Sequence, residues 1–223
     1  MLYPINLQLT DRSCLVIGGG RVALRKIRGL LACDGRVTVI SPEVIDAIDA
    51  LAGTGKITLY RRPYMKGDLA GAFLVFAATD DDQVQNAIVG EAAERQVLLN
   101  SGDDPRRSDF HVPARVRRGE LLLTVSTDGA SPMLAGLIRG ELETRFDERY
   151  AVVVRLMARI RQSVLSGSTD PGANRRLFER LLLQTDLLDC VKEGRWQQAA
   201  VVLRRELPAT IDIEAVLHGL ANG

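Results

Sequence analysis

An apolar run that ends in three consecutive glycines and passes straight into a helical pattern dictates most of what this chain can become. The stretch is Cys14-Leu-Val-Ile-Gly18-Gly19-Gly20-Arg21-Val22-Ala23. The four apolar residues suit a buried strand. Gly18 permits the tight turn that must follow, and Gly20 lets the backbone approach a pyrophosphate. Ala23 is small enough for the next helix to pack closely on the strand. The N–H groups of that helix's first turn would bind the phosphates. The stretch predicts a strand–turn–helix dinucleotide unit, with Gly18, Gly19, Gly20, Arg21, Val22 and Ala23 against the cofactor. The bland alternative is an ordinary glycine turn in an α/β domain.

Further along, the pattern keeps to strands alternating with helices. Residues 13–18 form the first strand and 22–32 the first helix, while residues 2–10 suit a lead-in or an edge strand. The β-branched run Arg36–Ile40 fits a strand buried on both faces. It ends at Ser41-Pro42-Glu43, where many dinucleotide folds place an acid on the ribose. Ser41 offers a hydroxyl to the cofactor there, and NAD against NADP stays open. A helix over 43–53, strands over 56–60 and 73–78, a helix over 83–95 and a strand over 97–100 follow. Thr79 or Asp80 caps the helix, and both residues line the nicotinamide side of the crevice. Three loops, 18–23, 79–82 and 100–105, therefore meet at one sheet edge.

The second half changes character. A strand over 120–126 leads to Ser131 as N-cap and Pro132 at the first position of a helix reaching about Phe146. Helices are expected over 148–163, 173–184, 185–193, 195–206 and 212–220, with a loop at 166–172. The fold class is α/β: an N-terminal Rossmann-like dinucleotide-binding domain (1–113), a small α/β dimerisation unit (114–150) and a helical C-terminal domain (151–223). A lone strand and helix make a poor core, so the middle unit predicts a homodimer.

Composition removes several classes. The net charge is +1 and aromatic residues are only 4% of the 223, which gives no argument for a nucleic-acid partner. Cys14, Cys33 and Cys190 are far apart, and His111 and His218 have no ligand-spaced neighbours, so no resident metal site is expected. Pro4, Asn6, Gln8 and Asp11 break up any signal peptide, and no apolar run is long enough to span a bilayer. The expectation is a cytoplasmic protein without membrane contact.

Five motifs in order carry a resemblance. They are Val16–Ala23, Ala77-Ala-Thr-Asp-Asp81, Asn100-Ser-Gly-Asp-Asp-Pro105, Phe110-His-Val-Pro113 and Val125-Ser-Thr-Asp-Gly-Ala-Ser-Pro132. The chain resembles the precorrin-2 dehydrogenase and sirohydrochlorin ferrochelatase family of sirohaem synthesis, either stand-alone or as the N-terminal half of fused sirohaem synthases. Within the last motif Thr127 stands where the family has Ser and Asp128 where it has Gly, and Gly136 replaces a usual arginine.

The resemblance implies NAD as cofactor and oxidation of precorrin-2 to sirohydrochlorin. Fe2+ insertion is a second step of bifunctional members, with the ion as substrate. It makes Asp103 the candidate general base, with Asp104 its rival on chemistry alone. It assigns Arg106, Arg107, Arg115, Arg117, Arg118, Ser126, Thr127 and Ser131 to the polycarboxylate substrate, for which arginine's planar fork is suited. The same arginines also serve solubility. Two other classes stay open: another NAD(P)-dependent oxidoreductase, and a non-catalytic dinucleotide sensor.

Overall fold

A computed structural model describes residues 2–102, 104–167 and 170–220. They fall into two compact units, Met1–Val112 and Pro113–Gly223.

In the first unit the chain runs β1 (Ser13–Ile17), α1 (Arg21–Leu31), β2 (Arg36–Ile40), α2 (Asp46–Gly53) and β3 (Thr58–Tyr60). It continues through β4 (Leu74–Ala77), α3 (Asp82–Arg95), β5 (Leu98–Ser101) and a single 3₁₀ turn, Pro105–Arg107. The strands form one parallel sheet in the order β3-β2-β1-β4-β5. Successive strand side chains point to opposite faces, and here both faces are covered. Cys14, Val16, Val39 and Phe76 pack with Ile27 of α1 on one side. Leu15, Ile17, Val75 and Leu99 pack with Ile88 of α3 on the other. That double burial is why the strands read as unbroken apolar runs. The order also reverses between β1 and β4, which opens a crevice at their carboxyl ends.

Residues 2–10 are a lead-in and form no strand. Two local expectations need correction. The second helix starts at Asp46 rather than residue 43, because Pro42–Ile45 is held as a loop against the glycine turn: Ile45 N–H donates to the Gly19 carbonyl at 3.0 Å. The cap of α3 is Asp81, whose Oδ1 accepts from the N–H groups of Gln83 and Val84 at 2.8 and 3.1 Å. Neither Thr79 nor Asp80 holds that position.

The loop before β4 is fastened to α3 by one buried carboxylate. Glu91 is 2% exposed and accepts from the Tyr64 hydroxyl, the Gly67 and Leu69 N–H groups and Arg95 Nε. Burial pushes this carboxyl upward, but those four donors outweigh it and hold its pKa below the usual 4.5. A carboxylate whose pKa is lowered in the folded state adds stability above its unfolded value and loses it as pH falls through the folded one. Thermal melts should therefore show the protein weakening on acidification below about pH 4.5, with less of that acid dependence in Glu91→Gln. Glu91→Leu should cost about 1–3 kcal/mol for each buried donor it strands. An identical acid profile in Glu91→Gln would remove the network from this account.

In the second unit β6 (Ala114–Arg118) and β7 (Leu121–Val125) form an antiparallel pair, with Val116 opposite Leu123. Strand β6 was not foreseen. Its Arg-Val-Arg-Arg sequence reads as a basic surface segment, yet Val116 is 2% exposed on the covered face while Arg115 and Arg117 point away. Then come α4 (Pro132–Arg145), α5 (Tyr150–Gly167), α6 (Pro171–Leu183), α7 (Thr185–Lys192), α8 (Trp196–Glu206) and α9 (Ile213–Leu217). Ser131 caps α4, its Oγ accepting from Leu134 N–H at 3.3 Å. Helix α6 starts earlier than expected, at Pro171, because Asp170 accepts from Gly172 and Ala173 N–H. The helices enclose a core around Leu156, Ile160, Leu181, Leu187 and Leu203.

Candidate functional site

The loops after β1, β2, β4 and β5 enclose a cleft of ≈ 850 Å³ at the carboxyl edge of the sheet. Gly18, Gly19, Gly20, Arg21 and Val22 form its floor. Ser41–Ile45 forms one wall, and Ala78, Thr79, Asp80 and Gly102 the other.

Each glycine of the turn does something different. Gly18 has φ +126°, and a Cβ there would lie 2.1 Å from the Ala78 carbonyl oxygen. A Cβ on Gly19 would lie 1.9 Å from the Glu43 carbonyl oxygen and 2.8 Å from Ser41 Oγ. These two glycines let neighbouring loops close on the turn. Gly20 differs: its φ of −89° is open to any residue, and a Cβ there would meet nothing within 4 Å. The space beside it belongs to the cleft.

Gly20 is also the N-cap of α1, and it gives that helix no side-chain cap. The first turn carries no acidic residue either. Uncapped N–H groups and the positive end of the helix dipole thus meet the cleft at a residue without a side chain, an arrangement that fits a pyrophosphate.

Of the other expected cofactor residues, Ser41, Thr79 and Asp80 line the cleft. The Ser41 hydroxyl is turned to the Glu43 carbonyl, 2.6 Å away. Ala23 is fully buried and packs α1 onto the sheet, behind the lining. Sequence reasoning missed the Pro42–Ile45 wall and Gly102. The close approach of Glu43 to Gly19 joins residues distant in sequence, and no local pattern encodes it. Gly102 is fixed by its N–H, which donates to the Ala77 carbonyl at 2.9 Å.

Asp103 lies outside the described residues. Its rival Asp104 is engaged: Oδ1 accepts from the N–H and Nε of Arg106, at 2.9 and 3.1 Å. Those bonds, the side-chain one above all, hold its carboxyl below the usual carboxylate range. Arg107 reaches Asn86 Oδ1 at 2.5 Å. Arg106 and Arg107 therefore sit on the first unit, within the 3₁₀ turn.

The remaining expected substrate residues belong to the second unit. Arg115 and Arg117 are exposed on β6. Arg118 is largely covered, pairs with Glu148 at 3.0 Å and donates to the Phe146 carbonyl, so it acts as a fastener. Ser126 is exposed, and its Oγ accepts from Asp128 N–H; the Thr127 hydroxyl accepts from Ser131 N–H. These bonds shape the turn before α4. A second cavity, ≈ 780 Å³ and lined by Arg176, Arg180 and Glu206, lies in this unit away from those residues. Among the described residues no group of three or more His, Cys, Asp or Glu is placed to hold a metal ion.

Residues 5–114 match a family model described as putative NAD(P)-binding, and residues 118–145 one described as sirohaem biosynthesis protein, central. A siroheme synthase of Nitrosococcus oceani is 34% identical over 204 residues, covering 92% of this chain and 43% of that protein. A siroheme synthase of Methylococcus capsulatus is 37% identical over 214 residues, covering 92% of this chain and 45% of that one. The chain thus spans less than half the length of these curated relatives. A solved structure of SirC, a precorrin-2 dehydrogenase, superposes with a TM-score of 0.74 at 27% identity, covering 89% of this chain and 98% of that one.

Proposed function

We propose, from its similarity to siroheme synthases and to a precorrin-2 dehydrogenase, that the chain carries out the NAD-dependent oxidation of precorrin-2 to sirohydrochlorin. The observation that carries this reading is the cleft beside Gly20, where an uncapped helix start meets space that a Cβ would otherwise fill. When bound there, the cofactor supplies the hydride acceptor. The chain's own part is to bind, orient and move a proton. The α1 N–H groups hold the pyrophosphate, and the Thr79, Asp80 and Gly102 wall sets the position of the reacting end. Asp103 takes the proton as general base. Arg106, Arg107, Arg115 and Arg117, with Ser126, Thr127 and Ser131, are assigned to the substrate carboxylates in the same reading.

Insertion of Fe2+ into sirohydrochlorin is the second activity of this proposal. The macrocycle brings the nitrogen ligands for the ion, so the step calls for no resident metal cage. Anaerobic incubation with precorrin-2 and NAD should form NADH and sirohydrochlorin; Fe2+ added in a second stage should then give sirohaem above the uncatalysed rate. Turnover of a small hydroxy acid without precorrin-2 would point to another oxidoreductase. NAD binding with no turnover would point to a sensor.

The reading includes a homodimer built mainly from residues 114–150. On α4, Met133, Leu134 and Leu137 are 86, 46 and 62% exposed, a run of apolar side chains that a partner would cover. Light scattering should give twice the chain mass. Leu137→Asp should raise the dimer dissociation constant about tenfold or more, because a buried unpaired charge readily costs 1.4 kcal/mol. A monomer at all concentrations would refute the assignment. Among the described residues no helix is long and apolar enough to cross a membrane. Cys14, Cys33 and Cys190 are free thiols, in keeping with the cytoplasmic setting proposed.

A further inference from the structure

Lys26 lies on the sheet-facing side of α1, and its ammonium reaches across two strands. Nζ stands 4.7 Å from the centroid of the Phe76 ring on β4 and donates to Asn100 Oδ1 on β5 at 3.1 Å. Asn100 is 8% exposed. Its Nδ2 in turn donates to the Phe110 carbonyl at 2.8 Å, and the Phe110 ring meets Phe76 edge-on at 5.5 Å. One carboxamide thus receives a charge-assisted hydrogen bond on one side and gives a neutral one on the other. The charge-assisted bond is the stronger of the two. Burial, with Arg25 beside it, lowers the Lys26 pKa to about 8, the mark of an ammonium drawn out of water.

What this carboxamide anchors is the end of β5. Phe76 and Asn100 are register partners, as are Ala77 and Ser101. The next residue, Gly102, lines the cleft and is bonded through its N–H to Ala77. Ser101 N–H donates to Ser108 Oγ at 2.9 Å, which ties the returning segment to the same strand end. We propose that Lys26 is a positioning residue that acts through Asn100, fixing the 100–102 strand end and so the Thr79–Gly102 wall of the cleft. This assignment rests on the dehydrogenase reading for its effect on turnover, though not for its effect on the strand end. The cost of losing it falls on the reacting end of the cofactor, because the pyrophosphate floor is built by other residues.

The test uses Lys26→Met, Lys26→Arg, Asn100→Ala and the double variant Lys26→Met with Asn100→Ala. Methionine keeps an unbranched apolar stem over Phe76, so the fold should hold. In the unliganded Lys26→Met protein, amide hydrogen exchange at Ser101 and Gly102 should quicken relative to the α1 and β1 amides. With precorrin-2 and NAD, kcat should fall about tenfold while KM for NAD stays within about twofold, the pattern of an interaction expressed in the transition state. Lys26→Arg should recover most of the rate. The double variant should be no slower than Asn100→Ala alone, since Lys26 acts through that carboxamide. Unchanged exchange at Ser101 and Gly102 in folded Lys26→Met would overturn the proposal, and so would multiplying effects in the double variant. If exchange responds as expected but wild-type protein does not oxidise precorrin-2, the positioning role stands and the functional reading falls.

Discussion

Gly20→Val should leave the protein folded and weaken NAD binding about 10- to 100-fold, the 1–3 kcal/mol that an inserted side chain typically costs in a packed site. The backbone at Gly20 has φ −89° and ψ −168°, an extended conformation that valine adopts readily. Nothing within 4 Å of the new Cβ resists it when the cleft is empty. The clash arises only with a ligand whose phosphates approach the helix start. Calorimetric titration should show the lost affinity, and a thermal melt should move little. Gly19→Ala is the opposite case. Its Cβ would press on the Glu43 carbonyl at 1.9 Å and on Val44 Cα at 2.8 Å, so the 41–45 loop must shift and the melt should fall. Full NAD affinity in folded Gly20→Val would move the pyrophosphate away from this turn.

The contrast between Gly19 and Gly20 also marks how far the sequence is legible. The strand–turn–helix unit, the parallel sheet and the helical second half were all readable, because apolar runs and helical spacing are local signals. The open space beside Gly20 is what its place in the motif leads one to expect. The role of Gly19 was not legible, since its contacts come from Glu43 and Val44 on another loop. Asp81 shows the same limit at short range. Thr79, Asp80, Asp81 and Asp82 are all suitable caps, and only the observed start of α3 selects Asp81. With the cap supplied there, Thr79 and Asp80 are left to line the cleft. Strand β6 was hidden for another reason. Its one inward apolar residue, Val116, stands among arginines, so a three-residue alternation carries little signal without its partner β7.

Asp103→Asn should slow single-turnover NADH formation from precorrin-2 by about 10²–10⁴-fold, the usual contribution of a positioned general base. The residue is chosen from the motif Asn100-Ser-Gly-Asp-Asp-Pro105 and its resemblance to the family's loop aspartate. The neighbouring geometry sharpens the choice between the two adjacent acids. Asp104 accepts three bonds from Arg106, two on Oδ1 and one on Oδ2, and that pairing holds its carboxyl below the usual carboxylate range. Asparagine preserves the shape of aspartate and some of its hydrogen bonding while removing the proton acceptor. NAD affinity should therefore change little, because the floor around Gly20 is untouched. Ferrochelation is measured separately, from supplied sirohydrochlorin with the uncatalysed rate subtracted. Loss of both activities would place oxidation and metal insertion at one shared acid; retained ferrochelation would confine Asp103 to oxidation. Near-wild-type oxidation in Asp103→Asn together with a strong loss in Asp104→Asn would transfer the role to the paired acid. If neither substitution slows hydride transfer, oxidation rests on the alignment of substrate and cofactor rather than on a side-chain base.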